Sequence, residues 1–383
     1  MKPLSEAIMN SKKSSIRKLF ELVLSAKNAI SFGIGQPNFA PPEFVLDEIA
    51  KAVREKKTMY APTLGLPQLR EAIAAKCRKE NNMTWVEAKN VIVTNGGSQS
   101  IDFAYRAVSN PGDEMILSSP NFLSYFYVAN FNQIKLNEIA RNPDFSINID
   151  EIRKAITPKT KFIVINSPNN PTGYTYTKKE MDEIVQIVLE NDLYLISDEV
   201  YEKFLYEDRP HISPASYPEM APRTLTLNAM SKTFGGPGLR CGYLVADENI
   251  INLLEKYSQY VSAGVNHPTQ MGATVAYQKG NPEIKQIIAA YDKKRRFCLK
   301  RLNELGFECP VPQGAFYLMP SVAKFAADAD EFSEKLMRAV EVAVVPGSGF
   351  GSFSKQHVRM SYATDDKLLE EGFNRIEKFL KTV

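Results

Sequence analysis

The stretch Ala229-Met230-Ser231-Lys232-Thr233-Phe234-Gly235-Gly236-Pro237-Gly238-Leu239-Arg240 follows an apolar run, Thr224-Leu225-Thr226-Leu227, that reads as a strand. It sets one lysine at the exit of that strand, a hydroxyl beside it, a glycine-rich turn after it and an arginine beyond. An amine at a strand end next to an anion-binding pair is what a phosphate-bearing cofactor held through lysine needs. Two further stretches, Asn170-Pro171-Thr172-Gly173 and Ser197-Asp198-Glu199-Val200-Tyr201, carry polar groups suited to holding a pyridine ring.

Working outward, amphipathic helices are expected at Glu43–Glu55, Gln68–Glu80, Ser98–Val108, Lys178–Glu190 and Glu248–Tyr260. Between them lie short apolar runs at Val91–Val93, Met115–Leu117, Phe162–Ile165, Leu193–Ile196, Thr224–Leu227 and Gly242–Val245. Such runs, separated by helices, predict strands covered on both faces: an α/β fold with a mostly parallel sheet. Ligands of such sheets gather beyond the carboxyl ends of the strands. Gly96-Gly97, Asn170, Asp198 and Lys232 each follow one of these runs. After about residue 285 the rhythm changes. A long charged helix (Ile284–Leu305) precedes Gly314-Ala315-Phe316-Tyr317-Leu318, then a helix near Glu331–Val340, short strands at Val342–Val345 and Val358–Tyr362, and a terminal helix. This reads as a smaller α+β domain. The expected division is an N-terminal arm with part of the small domain (1–45), a large domain (46–285) and a small C-terminal domain (286–383).

A chain of 383 residues, 44% hydrophobic, is ample for a large core and more than one domain. Its net charge of +3 is nearly balanced, and no clustered basic patch argues for nucleic acid. Cys77, Cys241, Cys298 and Cys309 lie far apart, which argues against a metal or disulfide framework and for a reducing cytoplasm. No secretory signal or membrane-spanning run is evident. The three histidines, His211, His267 and His357, fall in no ligand or triad spacing, so lysine is the candidate for acid–base work.

Thr94-Asn95-Gly96-Gly97-Ser98-Gln99 runs from strand to helix, and free N–H groups at a helix start suit an anion. A purely structural turn has the same pattern; Ser231 and Arg240 favour phosphate, since a guanidinium grips it through two hydrogen bonds. A lysine amine in a partly dry, cationic pocket has its pKa lowered and becomes nucleophilic, whereas most lysines are merely exposed.

With these motifs in this order, from Gly33 to Ala363, the chain resembles the class I aminotransferases that depend on pyridoxal 5'-phosphate, with the aspartate-aminotransferase fold (fold type I). The resemblance implies that Lys232 carries the cofactor and then takes the substrate's Cα proton. It implies that Asp198 pairs with the pyridine nitrogen, that Asn170 and Tyr201 hydrogen-bond the phenolic oxygen, and that Phe122 stacks on the ring. Gly96, Gly97, Ser98, Ser231 and Arg240 would hold the phosphate, joined by Tyr60 from a neighbouring subunit, in a homodimer with shared active sites. Arg359 and the Gly35 backbone, with Asn170, would bind the substrate α-carboxylate. The plain alternatives are a turn residue for Asp198, core packing for Phe122, a surface ion pair for Arg359 and packing on its own domain for Tyr60. Ala229 departs from the family, which commonly has Ser or Gly there, so one phosphate donor is missing.

The implied activity is a ping-pong transfer of an amino group between an L-amino acid, of aspartate or aromatic type, and a 2-oxo acid such as 2-oxoglutarate. A lyase or synthase on the same scaffold is the alternative. A ligand-sensing regulator is a third reading, disfavoured because no helix-turn-helix candidate is present. Arg106 is a candidate reader of a distal carboxylate or else a solvated helix residue. Phe122, Tyr125, Phe316 and Tyr317 are candidate walls of an aromatic pocket.

Overall fold

The computed structural model describes residues 4–9 and 28–382, so much of the expected N-terminal arm lies outside the described residues. The strands are β1 (Ile30–Ser31), β2 (Val91–Thr94), β3 (Glu114–Ser119), β4 (Lys135–Ala140), β5 (Thr160–Asn166), β6 (Tyr194–Asp198), β7 (Thr224–Ala229), β8 (Gly242–Val245), β9 (Tyr317–Leu318), β10 (Val342–Ala343), β11 (Val345–Pro346) and β12 (Val358–Ser361). The central sheet has seven strands in the order β2-β8-β7-β6-β5-β3-β4. Neighbours from β7 to β4 run parallel, and β8 alone runs against both of its neighbours. The expected mostly parallel α/β sheet is therefore present.

Alternation along the strands explains why both faces are apolar. Ile92, Met115, Leu117, Phe162, Val164, Ile196 and Leu244 join one core cluster, with the helix Gly97–Val108. Their immediate neighbours Val91, Val93, Tyr243 and Val245 face another cluster, and Ile116, Ile163, Ile165 and Leu195 a third. A side-chain period of two sends adjacent apolar residues to opposite layers, each closed by helices. The helices Glu43–Arg54, Pro67–Glu80, Lys178–Glu190, Glu248–Val261 and Ile284–Glu304 lie within a residue or so of expectation. Lys178–Glu190 starts at a capping box, in which the Thr177 hydroxyl accepts from the Glu180 N–H and the Glu180 carboxylate accepts from the Thr177 N–H.

Among the elements not anticipated are β4 and the helices Leu123–Phe131, Ile149–Ala155 and His267–Lys279. The expected strand Val342–Val345 is also corrected. It is two strands in two sheets, because β10 pairs in parallel with β1 whereas β11 pairs antiparallel with β12. Phe32 ties these layers together. Its N–H donates to the Ala343 carbonyl at 2.9 Å, its own carbonyl accepts from the Ser361 N–H at 2.6 Å, and its ring meets Phe373. Residues 30–32 thus deliver the following loop, Gly33–Gly35, to the carboxyl edge of the central sheet.

Candidate active site

In-register pairing of β5 with β6 sets Asn166 beside Asp198, and that of β7 with β8 sets Ala229 beside Gly242. All of these lie at the edge where a cavity of about 310 Å³ opens. Its walls bring together Gly35, Gly97, Ser98, Phe122, Asn170, Asp198, Tyr201, Ser231, Lys232, Arg240 and Arg359, residues drawn from almost the whole length of the chain. Three cations line it against one carboxylate, so the cavity favours anionic groups.

Lys232 sits in a single helical turn, Met230–Thr233, that begins where β7 ends. Its amine donates to the Gly35 carbonyl at 2.6 Å and lies 5.5 Å from the Tyr201 ring centre. Burial and then the Arg359 charge bring its pKa down to about 8, against the opposing pull of Asp198. A fraction of the amine is therefore neutral near neutrality.

Asp198 is the last residue of β6 and is buried. One carboxyl oxygen accepts from the Tyr125 hydroxyl at 2.7 Å, the other from the Val200 N–H at 3.1 Å. Burial pushes its pKa up to about 6, against those two hydrogen bonds. An acid held above its usual range, with a lysine across the cavity, is poised to ionise when a cationic partner arrives.

Arg359, on β12, is only 2% exposed. Its Nη1 donates to Asn170 Oδ1 at 3.1 Å and its Nη2 to the Gly33 carbonyl at 2.6 Å, while Nε is buried without a partner. The guanidinium lies between the Tyr317 and Phe350 rings, 4.6 and 5.0 Å from their centres. No carboxylate pairs with it among the described residues, and the surface ion-pair reading is set aside. A buried, unneutralised guanidinium is costly unless an anion completes it.

The anion cradle is built from backbone. Gly96 has φ +79°, and a Cβ there would come within 2.6 Å of Arg240 Nη2. Gly242 packs against the backbone itself: a Cβ on it would lie 2.8 Å from the Gly96 carbonyl carbon and 3.0 Å from Gly97 N. The helix Gly97–Val108 begins here, and its first two N–H groups, those of Gly97 and Ser98, precede the helical hydrogen bonds that start with Gln99 and Ser100 donating to the Gly96 carbonyl. Arg240 is held by the Pro237 and Asn95 carbonyls at 2.8 and 3.1 Å. Ala229 lines the cavity with a methyl group, so the serine hydroxyl common in relatives is lacking. The donors that remain, amides, a guanidinium and the Ser231 hydroxyl, suit a phosphate.

Other expected residues fall elsewhere. Tyr60 is 88% exposed and stands outside this cavity. Arg106 is corrected as a reader of a distal carboxylate within its own chain. It pairs with Asp102 at 3.0 Å and covers Tyr257, lining a separate surface groove. Of the aromatic candidates, Phe122, Tyr125 and Tyr317 line the cavity, and Phe316 packs behind Tyr201. Four contributors escaped the sequence reading: Asn166, the Gly33 carbonyl, Gly242 and the Tyr125 bond to Asp198. Asn166 was findable, since it ends a strand at the same edge as Asp198. Behind Asp198, the buried Glu199 and Glu202 converge with the partly buried His211, and internal partners hold them. His211 Nε2 meets Glu199 at 2.8 Å, Lys76 pairs with Glu202, and Asn81 Nδ2 donates to Glu202 at 2.7 Å.

A doubly covered parallel sheet with a lysine amine, a carboxylate and a free guanidinium at its carboxyl edge defines a lysine-centred enzyme of fold type I. The comparisons specify the family. Residues 27–376 match the model of the "Aminotransferase class I and II" family. The chain is 39% identical to an aspartate aminotransferase of Pyrococcus abyssi and 36% identical to aromatic-amino-acid aminotransferase 2 of Thermococcus litoralis, in each case over 96% of both chains. The aspartate aminotransferase from Thermus thermophilus with maleate superposes with a TM-score of 0.95 at 34% identity, covering 99% of this chain and 100% of the other. The chain belongs to the class I and II aminotransferase family and is an aminotransferase. The relatives are transaminases, so the lyase alternative has no support. Members of this family depend on pyridoxal phosphate, and their substrates are amino acids and 2-oxo acids. Among the described residues, no helix is long and apolar enough to cross a membrane.

Proposed function

We propose that this aminotransferase acts on L-amino acids of aspartate or aromatic type, with 2-oxoglutarate as the natural acceptor, through pyridoxal 5'-phosphate held on Lys232. The observation that carries this reading is the buried Arg359 guanidinium, which lacks a carboxylate partner and faces the same cavity as the Lys232 amine. The names of relatives, aspartate and aromatic-amino-acid aminotransferases, support the substrate class.

The donor set fits the cofactor. The amides of Gly97 and Ser98, with Ser231 and Arg240, take the phosphate. Asp198 would ionise against the ring nitrogen, Tyr201 and Asn170 would hydrogen-bond the phenolic oxygen, and Phe122 would stack on the ring. When bound, the cofactor supplies an electron sink for the charge that develops at Cα. Arg359 and the Gly35 N–H fix the substrate carboxylate and so aim the Cα–H bond. The Lys232 amine, neutral in part near pH 8, would be the base that takes and holds the Cα proton once it is free of the cofactor. Asn170 stays hydrogen-bonded to Arg359, linking the ring-holding and carboxylate-holding groups.

The homodimer belongs to this proposal. Met59, Tyr60, Tyr260 and Val261 are 77%, 88%, 89% and 50% exposed, a large apolar surface that a second copy would cover. The division into a large unit over 46–285 and a small unit over 286–383, completed from the N-terminal side, is part of the same reading, as is a cytoplasmic location.

The deciding experiment mixes purified protein with pyridoxal phosphate, traps with borohydride, and locates the tag by peptide mass. A tag on Lys232 and oxo-acid release from a panel of amino acids with 2-oxoglutarate are expected. A tag elsewhere, or none, overturns the assignment.

A further inference from the structure

Tyr317 stands between Tyr201, the Gly35 carbonyl and Arg359, three groups on which the proposed chemistry depends. Its hydroxyl lies 2.7 Å from the Tyr201 hydroxyl and 3.4 Å from the Gly35 carbonyl oxygen. That same carbonyl accepts from the Lys232 amine. The Tyr317 ring stands edge-on to Tyr201, at 5.7 Å and 80°, and its face supports the Arg359 guanidinium at 4.6 Å. Tyr317 is fully buried in the core layer that carries β9 and β12.

The two ends of this side chain do different work. A phenol has one proton to donate and can accept as well. Of the two acceptors within its reach, the Tyr201 oxygen at 2.7 Å is much the closer, and the Gly35 carbonyl stands off at 3.4 Å, where a hydrogen bond is weak. The Tyr317 proton is therefore best directed to the Tyr201 oxygen. Tyr201 then cannot spend its own proton on Tyr317, and that proton is turned toward the cavity. The ring, in turn, fixes the plane of Arg359, whose Nε has no other partner.

We propose that Tyr317 is a dual positioning residue: its hydroxyl orients the Tyr201 O–H toward the cofactor's phenolic oxygen, and its ring holds Arg359 flat for the substrate carboxylate. This rests on the roles of Tyr201, Lys232 and Arg359 proposed above. The charged groups facing the pair are Arg359, Asp198 and Lys232, and all three remain in the variants below.

The test uses the holoenzyme and separates the two ends. A hydrogen bond donated to the phenolic oxygen lowers the proton affinity of the bound chromophore, so misaligning Tyr201 raises the pH at which the visible band changes. Tyr317→Phe should raise that pH by about half a unit or more, the size expected for one neutral hydrogen bond. It should leave the Kd of a monocarboxylate such as propionate, measured by perturbation of the same band, within about twofold. Tyr317→Leu, which also removes the ring, should weaken propionate by about threefold or more. In a Tyr201→Phe background, Tyr317→Phe should produce no further shift. An unchanged visible pH transition in Tyr317→Phe, with Tyr201→Phe shifted, overturns the proposal and leaves the role of Tyr201 standing. An unshifted Tyr201→Phe overturns both. Additive shifts in the double variant overturn the coupling and assign Tyr317 a merely structural part.

Discussion

Arg359 and Asn170, 189 positions apart in the chain, meet through a hydrogen bond of 3.1 Å. One sits on a strand of the C-terminal sheet, the other on the turn beyond β5. The bond therefore joins the group proposed for the substrate carboxylate to a group proposed for the cofactor ring. The remaining guanidinium contact, from Nη2 to the Gly33 carbonyl, brings in the N-terminal segment. Three distant parts of the chain must fold correctly before Arg359 can act.

Arg359→Leu should therefore lower kcat/KM for every amino acid by about a hundredfold or more, since two charge-assisted hydrogen bonds to carboxylate contribute roughly 1.5–3 kcal/mol each. Arg359→Lys keeps the charge and loses the fork, so it should recover only part of that loss. Steady-state kinetics over several donors checks both. A kcat/KM in the Leu variant equal to that of the wild type, toward aromatic and acidic donors alike, would show that Arg359 reads no carboxylate.

The Lys232 amine of the apoenzyme should titrate near pH 8, well below an ordinary lysine at 10.5. Its modification by an acylating reagent, followed by peptide mass, should reach half its maximal rate near that pH. Arg359→Leu removes a cationic neighbour and should move the midpoint upward. The stability sign follows from linkage. Between about 8 and 10.5 the unfolded chain retains a proton that the folded chain has released, so apoenzyme stability from this group rises with pH. A midpoint near 10.5 in the wild-type apoenzyme would remove the basis for an activated amine.

Lys232 and Asp198 were legible because a general rule locates them: both follow apolar runs, and parallel sheets gather ligands at that edge. Arg359 and Gly35 were legible only through motif resemblance, because Gly35 is placed by the long-range pairing of β1 with β10, and Arg359 meets Asn170 and Gly33 only through tertiary contacts. β4 was missed because Lys135-Leu136-Asn137-Glu138-Ile139-Ala140 is an edge strand whose polar residues break the apolar run on which the buried strands were recognised. The run Val342–Val345 looked like one strand because composition does not reveal that its halves pair with different partners. The Tyr125 bond to Asp198 spans 73 positions and has no local signature. Side chains tied to backbone rules were readable, and contacts made only by tertiary packing were not.

Gly242→Ala should damage the anion cradle from behind. Every close neighbour of the added methyl is backbone, at 2.8 to 3.0 Å, so no flexible side chain can yield. Overpacking of this kind costs typically 1–3 kcal/mol. The variant should melt earlier and bind pyridoxal phosphate, and inorganic phosphate as its competitor, more weakly. Gly238→Ala is the control, since its added methyl meets nothing within 4 Å. Equal melting temperatures and equal phosphate affinity in the two variants would show that the turn has slack to give.

Tyr60 is the remaining test of the shared site. It is 88% exposed and does not line its own chain's cavity, so any contact it makes with the phosphate must cross to a second copy. Two inactive or weakened variants, Tyr60→Ala and Lys232→Ala, can decide this by complementation in the proposed homodimer. In a mixed dimer the chain with Tyr60→Ala keeps Lys232, and its partner supplies an intact Tyr60. That single site is complete, while the other site has lost both groups. Random reassembly makes half the dimers mixed, so about a quarter of all sites should be restored. Unfolding and refolding the two proteins together, then measuring turnover against each refolded alone, reads the recovery. If Tyr60 instead acts within its own chain, each site of the mixed dimer lacks one group and activity stays at the level of the parents.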